Sequence, residues 1–406
     1  MLVVIGGGPA GFFAAVTARR ANPALPVVLL EQGGEVLRKV RVSGGGRCNV
    51  THACFDPARL VAHYPRGGRE LRGPFHHFGP AETEAWFAAE GVRLKTEDDG
   101  RMFPDTDDSA TIVGALTGAA TAAGVQVRTR CGVTALQRRD DGFTVTTAGG
   151  DLRAGAVVLA SGGRTSAGPG PDGYDLARGL GHTVVPPVPS LFTFRSQAPL
   201  LAGLAGIAAE VRVAAAGLEA DGPLLVTHKG LSGPAALRLS AWGARALQAC
   251  GYAFDLKVDW LPGVADADAL LRERIRSHGR RAIAGDHATP LPARLWAALV
   301  REAGLDPQAR WADLGREARL RLAGALKATS LPVSGQAPFK EEFVTCGGVA
   351  LDEVDFRTMG SRVCPGLFLA GEVLDVDGIT GGFNFQNCWT TGWLAGHGSA
   401  IFCTRS

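Results

Sequence analysis

The sequence predicts an α/β protein: a Rossmann-like nucleotide-binding domain carrying an inserted β-rich domain and a small helical domain. Three observations carry this. Four apolar residues, Leu2–Ile5, run straight into GGGPAG, which ends at Gly11. A second apolar run, Val27–Leu30, follows and ends in the acid Glu31. Apolar runs of the same type return at Ala156–Ala160 and Leu367–Ala370, after the composition has changed character twice between residues 190 and 325.

The first observation is a strand, a tight turn and a helix start. Gly6 makes the turn, Gly8 lets a pyrophosphate approach the backbone, and Gly11 lets helix pack on strand. Pro9–Arg20 reads as the helix, with Ala10 in its first turn. Glu31 stands where an acid holds ribose hydroxyls, and Gln32 follows it. An ordinary glycine-rich β–α turn lacks the second strand and its terminal acid, so dinucleotide binding is the reading.

Composition bounds the rest. A chain of 406 residues buries at least one large core. Its 56 glycines have no strict period, so collagen-like readings fail. A formal charge of +3 argues for no partner by itself. The eight cysteines are dispersed with no CxxC, which gives neither a metal cluster nor a disulfide framework. No apolar run of about 20 residues is present, so no membrane span is expected. With a first strand at the very start and no leader before it, the expected location is cytoplasmic.

Gly33–Thr51 reads GGEVLRKVRVSGGGRCNVT, a poor helix or strand and a plausible backbone cradle. Arg38, Lys39, Arg41 and Arg47 would offset a pyrophosphate. Cys48 is read as a small buried residue, because a disulfide reductase wants a second thiol close by. The segment resembles the second glycine-rich signature of the HI0933-like family of FAD-dependent oxidoreductases, flavoproteins related to the glutathione-reductase type of FAD fold. The resemblance implies that Ser43–Thr51 wraps FAD, with Ser43, Gly44, Gly45, Arg47, Cys48 and Asn49 approaching the flavin. It also implies an FAD domain split by a β-rich domain and a small helical domain, which agrees with the boundaries that the changes of composition give: a cofactor-binding domain formed by 1–189 and 326–406, a β-rich insert at 190–262 and a helical, arginine-rich insert at 263–325.

Between these signatures the elements follow in order. Gly79–Glu90 and Asp108–Ala123 read as helices, the second closed by Gly124. Cys131–Leu136, Gly142–Thr147 and Asp151–Arg153 alternate like a small meander, which places Val133 on a strand. Ala156–Ala160 resembles the strand that returns to the adenosine side, closed by Ser161 and Gly162. Pro186–Pro189 reads as a crossing between domains. Pro234–Cys250 reads as one helix, and Thr227–Pro234 as a turn carrying His228 and Lys229. Ala267–Ser277, Ala293–Ala303 and Pro307–Gly324 read as helices, with Trp296 and Trp311 packing them. From Arg272 to Arg321 there are 11 arginines against six acids. A solvated surface explains such an excess, and so does a phosphate-facing patch built on Arg272, Arg276, Arg280 and Arg281. Leu326–Leu331 is expected to begin the return to the first domain.

Gly366–Gly392 is the third signature by resemblance. It implies a cofactor contact at Gly371 and Glu372, and an acid near the ribityl chain at Asp377 or Asp375. Gly382, Phe383 and Asn384 open a helix whose free amides can face the flavin. The family usually has tyrosine at Phe383, so that position offers no hydroxyl here.

The expected function is an FAD-dependent oxidoreductase acting on a small molecule by hydride transfer; no second GxGxxG stands between 190 and 330, so either NADH or NADPH binds without such a domain or another donor reduces the flavin. The alternatives are reduction of uridine to dihydrouridine in ribosomal RNA and a non-enzymatic FAD-binding scaffold. No side chain stands out as an acid–base catalyst; His228, Lys229 and Arg47 are the weak candidates. The oligomeric state is not legible.

Overall fold

A computed structural model of the chain describes residues 1–163, 171–287, 289–336 and 344–405. It divides into two compact units, Met1–Pro189 with Lys340–Ser406, and Ser190–Phe339.

The first unit is built on a parallel sheet. Leu2–Ile5 (β1), Val27–Leu30 (β2), Gln126–Arg128 (β3), Ala156–Leu159 (β4) and Leu367–Leu369 (β5) lie in the order β5-β4-β1-β2-β3. Every residue of β1, β2, β4 and β5 is buried, the condition that makes parallel strands uninterrupted apolar runs rather than alternating ones. Two short antiparallel strands, Val354–Asp355 and Gly360–Ser361, extend the β5 edge.

Pro9–Ala21 (α1) joins β1 to β2. Ser109–Ala122 (α2) is started by Asp108, whose carboxylate accepts from the Ala110 amide at 2.8 Å. Phe383–Arg405 (α3) lies along α1. The approach is close because α3 presents glycine: a Cβ on Gly392 or Gly396 would stand 2.6 Å from the Ala10 or Ala14 carbonyl. The expected meander is present as Val133–Arg139, Gly142–Thr147 and Gly150–Ala154, paired antiparallel.

The second unit is a closed barrel of antiparallel strands, Phe194–Arg195, Gly230–Ser232, Leu218–Thr227, Ala208–Ala215, Ala253–Asp259 and Thr329–Gln336. Closure removes the free edges of the sheet. Helices Ala267–His278, Ala293–Glu302 and Arg316–Ala328 accompany it. Trp296 and Trp311 are fully buried with ring centroids 6.1 Å apart, and pack these helices as expected.

Several expectations are corrected. The return at Leu326–Leu331 does not occur there, because Thr329–Gln336 closes the barrel with alternating burial. Pro186–Pro189 is part of a strand, Val184–Ser190, which forms a two-stranded ribbon with Val344–Val349. A two-stranded ribbon leaves an edge free, where proline costs no ladder bond. Pro234–Cys250 is two helices, divided at Gly243. The last helix of the second unit starts at Arg316 rather than Pro307, after a single turn at Trp311–Asp313. Gly68–His77 is a helix that sequence periodicity did not announce, with Pro74 inside it.

The glycine seam predicts opposite outcomes at two helical positions. Gly396→Ala pushes α3 off α1 and costs about 1–3 kcal/mol. Gly114→Ala meets nothing within 4 Å and gains up to about 1 kcal/mol from helix propensity. Urea unfolding of the two variants checks both signs.

Candidate functional site

In the first unit the chain runs β1, β2, β3 outward on one side and returns as β4, β5 on the other. The order reverses between β1 and β4, and ligands of such sheets sit at the carboxyl ends of those strands. Gly6 follows β1 with φ +114°, and a Cβ there would overlap the Ala160 carbonyl. A Cβ on Gly11 would overlap the Gly6 carbonyl. Packing therefore explains Gly6 and Gly11. It does not explain Gly8, whose added Cβ would meet nothing within 4 Å. Gly8 caps α1 without a side chain, and Pro9 follows, so the Ala10 and Gly11 amides stand at an open helix start.

Glu31 ends β2. Its carboxylate accepts from the Gly7 amide at 2.8 Å and the Gly33 amide at 2.6 Å. Gln32 is exposed, and Val133 is buried at the start of the meander. After β4, Ser161 holds its hydroxyl buried and without a hydrogen-bond partner, and Gly162 turns with φ +77°.

The second glycine loop is a short helix, Arg38–Val42, and a single turn, Ser43–Gly46. The Ser43 hydroxyl donates to the Val40 carbonyl at 2.9 Å. Gly44, Gly45 and Gly46 all take positive φ, and added Cβ atoms on Gly45 and Gly46 would meet nothing within 4 Å. Cys48 is fully buried, and burial pushes its thiol up to about 12. Arg47 turns to Glu97, at 2.7 Å, and lies over the Phe103 ring. Lys39 pairs with Glu372 at 2.6 Å.

Glu372 also accepts from the Thr345 amide at 2.8 Å and the Gly163 amide at 3.2 Å. The preceding Gly371 amide donates to Thr391 at 2.9 Å. Asp377 is fully buried, and Arg66 holds its carboxylate with two guanidinium nitrogens. The structure thus gives Asp377 to Arg66, a partner no local pattern announces. Asn384 folds back, its amide side chain bonding the Gly378 N–H and carbonyl, each at 2.8 Å.

A buried polar network ties these segments together. The Gln386 carbonyl oxygen accepts from Thr51 at 2.5 Å and Thr83 at 3.0 Å, and its NH₂ donates to Thr390 at 3.0 Å. Trp389 donates to the Val50 carbonyl at 2.9 Å. The Asn49 side chain, with its amide oriented to satisfy both contacts, accepts from the Gly382 amide and donates to the Thr51 carbonyl, each at 3.0 Å. Gly382 has φ +91°, and a Cβ would come 2.5 Å from that same carbonyl.

Beside this junction lies a group that sequence reasoning missed. The Phe383 ring stacks on His63 with centroids 4.3 Å apart and on His52 at 4.8 Å. Tyr64 donates to the Phe383 carbonyl at 2.6 Å. The signal for it is only that two histidines flank a cysteine- and phenylalanine-bearing stretch soon after the cradle.

The other candidates lie in the second unit. His228 and Lys229 form an exposed turn between two barrel strands, and the Lys229 amide donates to Thr227 at 3.3 Å. Arg272 pairs with Asp268, Arg276 with Glu273 and Arg281 with Asp286. Arg280 is exposed. Much of the local positive excess is answered by carboxylates of the same helical region.

Residues 1–398 match the HI0933-like protein Rossmann domain. The chain belongs to the HI0933-like family. The family lies within the FAD-oxidoreductase superfamily. Across 98% of each chain this member is 32% identical to a 3-dehydro-bile acid delta(4,6)-reductase of Clostridium scindens. Across 96% of each it is 31% identical to the ribosomal RNA dihydrouridine synthase of Escherichia coli. The 3-ketosteroid-delta4-(5alpha)-dehydrogenase of Rhodococcus jostii shares the fold at a TM-score of 0.54 and 17% identity, over 98% of this chain and 96% of that one. Among the described residues no helix is long and apolar enough to cross a membrane, and no cluster of metal-ligating side chains forms.

The cysteines give a direct check on this site. Burial raises the Cys48 and Cys388 thiols to about 12, so at pH 8 nearly all of each is protonated and unreactive. Ellman's reagent at pH 8 labels exposed Cys250 rapidly and Cys48 and Cys388 only when urea unfolds the protein.

Proposed function

We propose that the chain is an FAD-dependent reductase of carbon–carbon double bonds conjugated to a carbonyl. The cofactor part rests on glycines that packing leaves unexplained. Gly8, Gly45 and Gly46 face open space, the Ser161 hydroxyl is buried without a partner, and two helix starts, at Ala10 and Phe383, offer backbone amides. Three glycine-bearing segments far apart in sequence come together within one unit. These residues suit a long, flat, phosphorylated ligand. Gly8, Ala10 and Gly11 would hold the pyrophosphate, Glu31 the ribose, and Ser43–Asn49 with Gly382–Asn384 the flavin. FAD bound there supplies hydride at N5. The start of α3 would steady negative charge on the flavin edge that it faces.

The proposed substrate class is supported by what the two relatives have in common. One is named a delta(4,6)-reductase of a 3-dehydro-bile acid, and the other a dihydrouridine synthase of ribosomal RNA. Both substrates carry an alkene activated by a carbonyl. We propose a small enone as the substrate, and a reduced nicotinamide as the electron donor. A second reading, uridine in ribosomal RNA, is favoured by that second relative and by exposed arginines of the helical region, among them Arg280, Arg301, Arg310 and Arg316. These could hold phosphates while a base leaves its stack.

Two measurements test this reading. The purified protein is expected to be yellow with one FAD per chain. Gly8→Ala should weaken FAD binding at least tenfold while the unfolding free energy stays within about 1 kcal/mol of wild type, because its Cβ meets no protein atom; Glu31→Ala should weaken binding as well. A colourless protein that takes up no FAD overturns the proposal. For the second reading, a strain lacking the gene should lose a dihydrouridine in its large-subunit ribosomal RNA. Wild type should restore it, and the combined Arg280, Arg301, Arg310 and Arg316 to Glu variant should not. Unchanged dihydrouridine in the deletion removes RNA as its nonredundant substrate.

A further inference from the structure

We propose that the Lys39–Glu372 ion pair is a gate across the cofactor crevice, one that must open for FAD to enter and to leave; the inference rests on the FAD reading above. Lys39 lies in the segment that follows β2, and Glu372 in the turn that follows β5. In the order β5-β4-β1-β2 these two strands are three spacings apart, about 14 Å. Between them stand the carboxyl ends of β4 and β1, where the ligands of such sheets sit. The 2.6 Å bond from Lys39 Nζ to Glu372 Oε2 therefore joins the two flanks of the switch point.

Both flanks are anchored at the β1–α1 turn. On one, the Leu37 amide donates to the Gly7 carbonyl at 2.8 Å, and the short helix bearing Lys39 starts at the next residue. On the other, Gly371 lies against Ala10: a Cβ on Gly371 would stand 2.8 Å from the Ala10 Cβ. Between the anchors at Gly7 and Ala10 the chain passes through Gly8, whose added Cβ would meet nothing within 4 Å. The ion pair thus bridges the segments on either side of the open part of the turn.

Its two ends differ in stiffness. Glu372 Oε1 accepts from the Thr345 amide at 2.8 Å and Oε2 from the Gly163 amide at 3.2 Å, and the Glu372 carbonyl accepts from the Tyr174 hydroxyl at 3.4 Å. The glutamate side chain is 14% exposed and that of Lys39 35%. Lysine carries its charge on a flexible four-carbon stem. The carboxylate is a fixed catch, and the lysine a movable arm whose exposed charge is screened by salt. Such a gate differs from a contact. A group that holds FAD slows release and so sets the dissociation constant, whereas a bond that must break in both directions slows entry and release together. It differs as well from a lysine that holds the pyrophosphate, because neutralising Glu372 would then free Lys39 for the phosphates and slow release.

The test follows FAD release from the holoenzyme into an excess of the apo form of a second flavoprotein. Equilibrium dialysis gives the dissociation constant, and the ratio of the two gives the entry rate. Lys39→Gln and Glu372→Gln are each expected to speed release and entry about tenfold, with the dissociation constant within about threefold of wild type. The double variant should release no faster than either single one, because all three lose the same bond. Lys39→Arg keeps the charge and should release at the wild-type rate. Raising the salt from about 0.05 M to about 0.5 M should speed release more in wild type than in Lys39→Gln. If Glu372→Gln fails to fold, Lys39→Gln, which alters the more exposed partner, carries the test. A dissociation constant that rises while entry is unchanged overturns the gate by marking a contact. Slower release from Glu372→Gln overturns it in favour of a lysine–phosphate bond. A wild type that binds FAD and releases it no more slowly than Lys39→Gln overturns the gate alone, whereas a wild type that takes up no FAD overturns the cofactor reading, and the gate falls with it.

Discussion

The site depends on one buried carboxamide. Gln386 receives hydrogen bonds from Thr51 and Thr83 and gives one to Thr390. It thereby joins the end of the second glycine loop, the helix Pro80–Ala89 and the long helix α3. Each partner is buried, so each bond is made where leaving a polar group unmade costs about 1–3 kcal/mol. The loop bearing Gly44–Gly46 has three left-handed residues in succession and little enthalpy of its own to hold them. Its conformation is fixed at its far end, where Thr51, Val50 and Asn49 are all bonded to α3 or to Gly382.

The sheet supplies the other half of the constraint. β1 and β4 are neighbours in space and run parallel, Ile5 beside Leu159, while the strands that follow them lie on opposite sides of the pair. Gly6 and Ser161 therefore follow adjacent strand ends, and a side chain at Gly6 would overlap Ala160. Helix α1 starts in the gap, and α3 is drawn onto α1 by glycines at Gly392 and Gly396. The same small residues that close the helix pair bring Phe383 and Gly382, at the head of α3, to the cradle. Packing and site geometry are one set of contacts here.

What was legible in the sequence was local. Strand, glycine turn, helix and terminal acid lie within residues 2–31, and their periodicities and glycine spacing announce them directly. The turn at Ser43–Gly46 was legible as a backbone-rich loop because nothing else suits three glycines followed by Arg-Cys-Asn. What was hidden was partnership. Arg66 and Asp377 are 311 positions apart, and Thr51 and Gln386 are 335 apart; neither pair has a local signal. Arg47 looked free to meet a phosphate, yet Glu97 takes its charge. The arginine excess of 272–321 was visible as a count, whereas its internal pairing with Asp268, Glu273 and Asp286 was not. Thr329–Gln336 misled because an apolar run does not reveal which sheet it joins, and the proline-rich strand Val184–Ser190 because a ribbon edge forgives proline.

The interleaving of the two units bears on how the chain assembles during synthesis. β1 is made before the other strands of its sheet but sits in the middle of it, between β2, which follows promptly, and β4, which is more than 150 residues later. β5, on the far side of β4, comes after residue 360. The barrel is continuous in sequence and has all its strands by Gln336. It can therefore mature while the nucleotide-binding sheet still lacks β5, the two edge strands beyond it and α3. Until α3 emerges, the face of α1 that packs on it has no cover, and the glycine cradle has no Gln386 to hold it. Cofactor capture is thus a late event, one that waits for α3.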